Sequence, residues 1–248
     1  MFRLIYVIGI VALAPNWLLA QISGEAKPIV DAALKAVGGE VRLSNLKAAE
    51  WKTQGTGHFS GKPMPSKSTL IGQLPDRFRR ESESTVDGEK RVRAYIVNGN
   101  QGWSKDGDTI KTLTDLELQA ERDTFHHKRV ALTLIPLKEK DIAVEFAGED
   151  KVDGKPTSVL VIKKKGFHDI KLYVDKTSHL VLKSEGLAVD SRSGKETRLE
   201  HYYSLHKSFD GIQYPVKTVT LRDGKLMLEI ETIEFRPLSQ IDPKRFLP

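Results

Sequence analysis

The stretch DIKLYV at residues 169–174 decides the fold, because the apolar residues Ile170, Leu172 and Val174 recur at every second position. A period of two predicts a β-strand that buries one face and exposes the other. A chain with several such stretches is expected to bury its core on the inward faces of its strands.

Two further runs with the same alternation, at residues 91–97 and 226–231, are bounded by turn dipeptides. Asp-Gly and Asn-Gly pairs satisfy the positive φ angles that tight hairpins require. Sequential hairpins predict an antiparallel meander, in which the run 159–162, apolar on both faces, is expected to be a central strand. The dipeptides are Asp87-Gly88, Asn98-Gly99, Asp106-Gly107, Asp153-Gly154, Asp210-Gly211 and Asp223-Gly224.

Helical periodicity precedes these strands. Residues 25–37 place small and branched apolar residues at helical spacing, and Gly38-Gly39 ends the pattern. Residues 40–46 predict a second, short helix. The sequence therefore predicts two helices before the first strand.

A further helix is predicted within the strand-rich region, at residues 114–135, which contain neither glycine nor proline. Thr114 is a suitable N-cap, and Pro136 is expected to end the helix. Four apolar residues form one stripe along it, which predicts that the helix packs on a sheet between two groups of strands. They are Leu118, Phe125, Leu132 and Ile135.

The first 20 residues have the layout of a secretory signal peptide. A basic start at Arg3 is followed by the apolar run 4–14 and a break at Pro15. We expect cleavage after Ala20, which leaves residues 21–248 as a single domain in the periplasm or outside the cell. An uncleaved anchor is the alternative, although the run is shorter than the roughly 20 residues of a spanning helix. No transmembrane segment is predicted in the mature chain.

Composition excludes some classes of protein. The chain has no cysteine, so disulfides, thiol catalysis and thiolate metal sites are absent. Lys and Arg total 39 against 33 Asp and Glu, giving a net charge of +6. These charges are scattered instead of concentrated on one helix, so no nucleic-acid partner is predicted.

No recognised catalytic or cofactor motif is found. The seven histidines lack the spacing of H-E-x-x-H or H-x-H, and there is neither a nucleophile elbow nor a phosphate loop. We therefore predict no catalytic residue, no cofactor and no metal site. A metal-dependent hydrolase that uses histidines distant in sequence is the alternative of lowest rank.

Large apolar side chains supply the candidates for a ligand site. A curved antiparallel sheet with a helix across its mouth can enclose an apolar ligand. The alternative for each side chain is ordinary core packing, which is the commoner role of such residues. The candidates for lining a cavity are Trp51, Phe59, Phe78, Trp103, Phe125, Leu132 and Tyr173.

Several segments carry a resemblance to a known family, and they extend from about residue 25 to the end. They are AVGG (36–39), LSNLK (43–47), WKTQG (51–55), VDGKP (152–156), LYVDKTSHLV (172–181), FDGIQYP (209–215) and IDPKRFLP (241–248). Together they resemble the LolA-like periplasmic proteins, the outer-membrane lipoprotein-sorting superfamily.

The resemblance implies a fold that is mainly antiparallel β with α. It is a curved, unclosed, barrel-like sheet, with the N-terminal helix and the inserted helix covering the concave face. In the best-known relatives the cavity holds lipoprotein acyl chains, and no binding residue can be transferred position by position.

Three functions follow in order of preference. The first is an exported binding protein for lipid, lipoprotein acyl chains or another apolar ligand. The second is a non-catalytic interaction or structural module with an envelope protein partner. The third is the hydrolase. Because one fold hosts many functions, the fold alone does not choose among them.

Overall fold

The computed structural model describes residues 22–58, 63–86, 88–191 and 193–248. The expected signal peptide, Phe59 and Asp87 lie outside the described residues. The described chain forms one antiparallel sheet of 13 strands. The strands are β1 (Ala48–Gly57), β2 (Met64–Gln73), β3 (Arg77–Val86), β4 (Glu89–Asn98), β5 (Gln101–Asp106), β6 (Thr109–Thr112), β7 (Ile142–Val152), β8 (Lys155–Lys164), β9 (Ile170–Asp175), β10 (Val181–Val189), β11 (Glu196–Phe209), β12 (Ile212–Arg222) and β13 (Lys225–Leu238).

The predicted helices are present. They are α1 (Ala26–Val37), α2 (Glu40–Ser44) and α3 (Asp115–Thr133). Thr114 caps α3 in a capping box, in which its side chain and that of Glu117 bond each other's backbone N–H. The helix ends slightly before the predicted boundary, because Leu134 adopts a left-handed φ of 56° and Pro136 enters a short 3₁₀ helix, Ile135–Lys138. Proline cannot donate the helical hydrogen bond, and it disfavours helical geometry at the residue before it.

The strand order explains the position of α3. It runs β6-β5-β4-β3-β2-β1-β13-β12-β11-β10-β9-β8-β7, so the first and last strands are β6 and β7, and the sheet is not closed. These two edge strands are consecutive in the chain, and α3 joins them. The inserted helix therefore crosses the sheet from one edge to the other, as the predicted fold requires.

Contacts of α3 show that the sheet is strongly curved. A side chain added at Gly102 in β5 would lie 2.9 Å from the Leu118 Cδ1 atom, and the His127 Nε2 atom lies 2.8 Å from the Ser184 Oγ atom in β10. A flat sheet would separate β5 from β10 by roughly 38 Å. Nine helical residues span only about 14 Å. The sheet must therefore curl around the helix, and the face that α3 touches is called the inner face.

The main core lies on the inner face. Val30 and Leu34 of α1 and Phe125 and Val130 of α3 are buried against apolar side chains of the sheet. Because α1 packs against β7 and β12 while α3 reaches strands on both wings, the two helices together cover one end of the inner face. The rest of that face has no helix on it among the described residues.

The outer face has two smaller apolar covers. The C-terminal 3₁₀ helix, Pro243–Phe246, packs Phe246 with Ile71 and lies against β3 and β4, where Ile96 is buried. Val159 packs with Val152 and Tyr173 in a separate cluster. The apolar run 159–162 is thus buried on both faces, but the prediction of a central strand is wrong, because β8 is second from the edge.

Candidate functional site

Four of the predicted cavity residues meet under α3. Trp51, Phe78 and Phe125 belong to the main core, and Leu132 is half-buried against it. The Phe78 and Phe125 rings stack with centroids 4.6 Å apart, and Trp51 stacks on Phe235 at 5.5 Å. These rings fill the space between helix and sheet, so the alternative of ordinary packing describes their present contacts.

The other predicted residues lie elsewhere. Trp103 is half-buried and pairs with Ile96, which alternates with the inner-face residue Val97, so Trp103 faces outward. Tyr173 belongs to the outer cluster, and Phe59 lies outside the described residues. The structure therefore brings together four of the seven. That they line a ligand cavity remains a prediction.

A polar layer between α3 and the sheet was missed by sequence reasoning. The Ser184 Oγ atom lies 2.8 Å from the His127 Nε2 atom and 2.8 Å from the Tyr203 hydroxyl. The His127 ring meets the His201 ring edge-on at 4.9 Å, and the His201 Nδ1 atom lies 2.9 Å from the Thr220 Oγ1 atom. No motif spacing signals this layer, because its members come from α3, β10, β11 and β12.

Burial keeps this layer uncharged. Desolvation lowers the pKa of His127 well below its ordinary value, and lowers the pKa of His201 to about 4. Burial also raises the pKa of the Tyr203 hydroxyl. All three side chains are therefore neutral near pH 7, and they join α3 to the sheet by neutral hydrogen bonds and ring contacts.

Lys128 lies at the border of this layer without a carboxylate partner among the described residues. Its Nζ atom stands 5.3 Å from the centroid of the Trp51 ring. The side chain is partly exposed, yet desolvation and the neighbouring Arg80 charge lower the pKa of Lys128 to about 8. Arg80 itself pairs with Glu121 at 2.8 Å.

The inner face beyond α3 forms an open groove. Gly55, Ser66 and Ser84 form one cross-strand row that Ile230 continues, and Gly55 shares its face with Trp51. These four residues line a groove with a volume of about 770 Å³. A leucine and a valine from β11 and β12 also line it, as do charged residues such as Lys67, Glu83 and Glu229, so hydroxyl, aliphatic and charged groups all border the groove.

The neighbouring row has a similar character. Thr53, Ser68 and Ser82 lie in register across β1, β2 and β3, and the Ser68 and Ser82 hydroxyls are 2.8 Å apart. All three are half-buried, whereas their outward neighbours Lys52 and Lys67 are exposed. In β1, β2 and β3 the inner face is therefore lined by small side chains where no helix covers it in the described chain.

A second, smaller pocket borders the N-terminal half of α3. Its volume is about 250 Å³, and Leu116, Ala120 and Phe167 contribute apolar walls. Asp123 also lines it, and its Oδ2 atom lies 3.4 Å from the His168 Nδ1 atom. Desolvation raises the pKa of the Asp123 carboxyl. This pocket adjoins the helix that must move if the core beneath it is to open.

No group of three or more His, Asp or Glu side chains among the described residues is arranged to hold a metal ion. Within the same residues, no helix combines the length and the apolar character needed to cross a membrane.

Comparison with solved structures identifies the class of fold. A LolA superfamily protein of Nitrosomonas europaea matches 90% of this chain and 97% of its own, with a TM-score of 0.58 and 10% identity. A domain assigned to outer-membrane lipoprotein sorting from Vibrio parahaemolyticus matches 88% and 97%, with a TM-score of 0.53 and 11% identity. A DUF1329 family protein of Desulfovibrio piger matches 89% and 96%, with a TM-score of 0.53 and 13% identity.

The chain therefore has the LolA-like fold, and the resemblance read from its sequence is confirmed. No family model matches the chain, and no curated protein matches it. At these identities the similarity describes the fold, so the function must be argued from the site.

Proposed function

We propose that this protein binds the apolar chain of a lipid, a lipoprotein or a similar ligand on the inner face of its half-barrel. The observation that carries the proposal is the open groove of about 770 Å³ beside the helix-covered core. Ligand pockets commonly have volumes of roughly 300–1,000 Å³. The aliphatic side chains of Leu205, Val216 and Ile230 give this groove apolar contact area.

The arrangement of α3 supports the same proposal. The helix is joined to the neighbouring loop and strands partly by polar contacts, such as the His127–Ser184 hydrogen bond and the Arg80–Glu121 ion pair. A movement of α3 would exchange these contacts for contacts with water, which costs less than exposing a purely apolar interface. Such a movement would extend the groove toward Trp51 and Phe125, the predicted cavity residues.

Export completes the proposal. Residues 1–20 would act as a signal peptide cleaved after Ala20, and residues 21–248 would work as one domain in the periplasm or outside the cell. The absence of cysteine is compatible with a bacterial envelope compartment, where packing alone must stabilise the domain.

The experiment compares one substitution on each face of the sheet. Ser66→Trp places a large side chain in the groove, whereas Lys52→Trp places the same side chain on the exposed outer face, away from the residues that line the groove. The measurement is titration of a fluorescent fatty-acid probe, together with native mass spectrometry of protein purified from the periplasm without detergent. We expect Ser66→Trp to weaken probe binding by about tenfold or more and Lys52→Trp to leave it unchanged.

Equal effects of the two substitutions would place the probe outside the groove. A wild-type protein that binds no probe and carries no lipid would overturn the proposal. That result would favour the second candidate, an interaction module for an envelope protein. The observation behind this candidate is the edge strand β6, whose four residues are all exposed and offer unpaired backbone groups to another chain.

A further inference from the structure

Cationic side chains collect on the inner face near the groove. Lys128 faces Trp51, and Arg80 lies close enough to affect its charge. One row further along, Arg93 pairs across the strands with Ser82 and shares the carboxylate of Asp106 with Arg91. Arg80 is neutralised by Glu121, so Lys128 and one of the two guanidinium groups remain as surplus positive charge.

Lys128 differs from the other cations of this set because its ammonium group has no carboxylate partner among the described residues. An ammonium group removed from water is costly unless a partner compensates it, and in proteins such groups are usually paired. Among the described residues this ammonium has only the Trp51 ring, an attraction weaker than that of a carboxylate. The positive charge of Arg80 repels the Lys128 ammonium. The site therefore holds a partly desolvated positive charge for which the described residues supply no carboxylate partner.

The surroundings determine what kind of anion fits. Thr53, Ser68 and Ser82 place hydroxyl groups on the same face as Trp51, and the aliphatic wall of the groove follows beyond them. A molecule lying along this face would meet a cation and hydroxyl donors at one end and apolar groups at the other. That order matches an amphiphile with one acidic head and one apolar chain.

We propose that the ligand of the inner face is an anionic amphiphile whose carboxylate or phosphate head binds the Lys128 ammonium. The proposal rests on the proposed function, because it assigns the head group of the ligand whose chain occupies the groove. Lys128 selects the charge of the ligand, and the groove supplies affinity for its chain. The two contributions can be measured separately.

The experiment uses the mature protein and two ligands with the same chain, palmitate and hexadecanol. Wild type is expected to bind palmitate about tenfold more tightly, because a hydrogen bond between charged groups stabilises only the palmitate complex. Lys128→Met should abolish this preference while leaving hexadecanol affinity unchanged. Lys128→Arg should restore it, because the guanidinium keeps the charge. Lys52→Met, at an exposed lysine on the outer face that does not line the groove, is the matched control and should behave as wild type.

A further arm separates a lipid head group from a free oxyanion. Acetate and inorganic phosphate alone should compete poorly with palmitate, because neither has a chain to occupy the groove. Strong competition by either would identify a site for free oxyanions and would overturn the amphiphile.

The pH dependence adds an independent measurement. The pKa of Lys128 is about 8, and the charged or titratable groups that face it are Arg80 with its partner Glu121, and His201. Arg80 keeps its charge and His201 stays neutral between pH 7 and pH 9. The preference for palmitate should therefore fall over this interval as the ammonium loses its proton.

The experiment separates failure of the head-group assignment from failure of the proposed function. If wild type binds palmitate and hexadecanol equally, or if Lys128→Met keeps the preference, the head-group assignment is wrong while the groove remains a binding site. If wild type binds neither, the proposed function fails and the head-group assignment fails with it.

Discussion

The two ends of the inner face differ in how they are filled. The covered end, under α1 and α3, contains stacked aromatic rings such as Phe78 and Phe125 at 4.6 Å. The open end, at the row of Gly55, Ser66 and Ser84, contains small side chains and a groove. Both belong to the same strands, but their outward neighbours differ, because Ile71 and Ile96 are buried at the covered end whereas Lys67 is exposed at the open end. One sheet can therefore contribute stability at its covered end while its open end leaves space for the proposed ligand.

Close approach of backbones distinguishes the open end further. A side chain added at Gly55 would overlap the backbone carbonyl oxygen of Glu229 in β13, and the register between β1 and β13 shifts between Lys52 and Thr53. A bulge of this kind increases local bending of a sheet. The missing side chain therefore allows the two backbones to approach, and the bend curves the sheet beside the groove.

The largest effect is expected from a substitution in the covered end. Phe125→Ala removes the ring that stacks on Phe78 and contacts the Gly72 region, and it should lower the free energy of unfolding by about 3–5 kcal/mol. Leu205→Ala is the matched change in the open end, where the leucine is 69% exposed, and it should cost less than about 0.5 kcal/mol. Urea unfolding followed by circular dichroism measures both. Similar losses for the two variants would contradict the division into a stabilising and a ligand-binding end.

The second effect tests the neutral polar layer of the covered end. The pKa of His201 is about 4 in the folded protein against an ordinary value of 6.5, so the unfolded chain takes up the proton first as pH falls. Stability is therefore complete above about pH 6.5 and is lost as pH falls toward 4. His201 alone should account for about 2 kcal/mol between pH 7 and pH 5.

The substitution for this test is His201→Gln, whose amide can still bond the Thr220 hydroxyl but does not titrate. Its free energy of unfolding should depend less steeply on pH than that of wild type. His179→Asn, at an exposed turn residue with a left-handed φ of 58°, is the control. An unchanged pH slope in His201→Gln would mean that the imidazole is hydrated enough to charge in place.

Much of the fold follows from local patterns. The alternation at 169–174 and the Asp-Gly turns specify hairpins, and Thr114 specifies where α3 begins. A period of two shows that a strand has two faces, but it does not show which face is inner when both are covered. The alternation therefore does not reveal that Trp103 and Tyr173 face outward. The outer face is also covered in places, since the C-terminal 3₁₀ helix lies over β3 and β4, where Ile96 is buried.

Less of the site follows from the sequence. The polar layer joins His127, Ser184 and Tyr203 across sequence separations of 57 and 19 residues. No spacing rule connects such distant positions, because strand order and sheet curvature determine their meeting. The importance of Lys128 is hidden in the same way, since a lysine on a helix is ordinarily exposed and paired or solvated.

The smallest effect is expected at Lys128, which lies at the border between the two ends. Substitution of this residue should change the free energy of unfolding and the binding preference in separate ways. Since the pKa of Lys128 is about 8 against an ordinary 10.5, the charged side chain destabilises the folded protein below pH 8. Lys128→Met should therefore raise the free energy of unfolding at pH 7, by about 1 kcal/mol once the partial exposure is allowed for. The gain should disappear between pH 8 and 10.5, where the wild-type ammonium loses its proton, and Lys52→Met should show no gain at any pH. A loss of stability in Lys128→Met would mean that its packing on Trp51 matters more than its charge. A gain, together with lost preference for palmitate, would mark Lys128 as a residue kept for binding at the expense of stability.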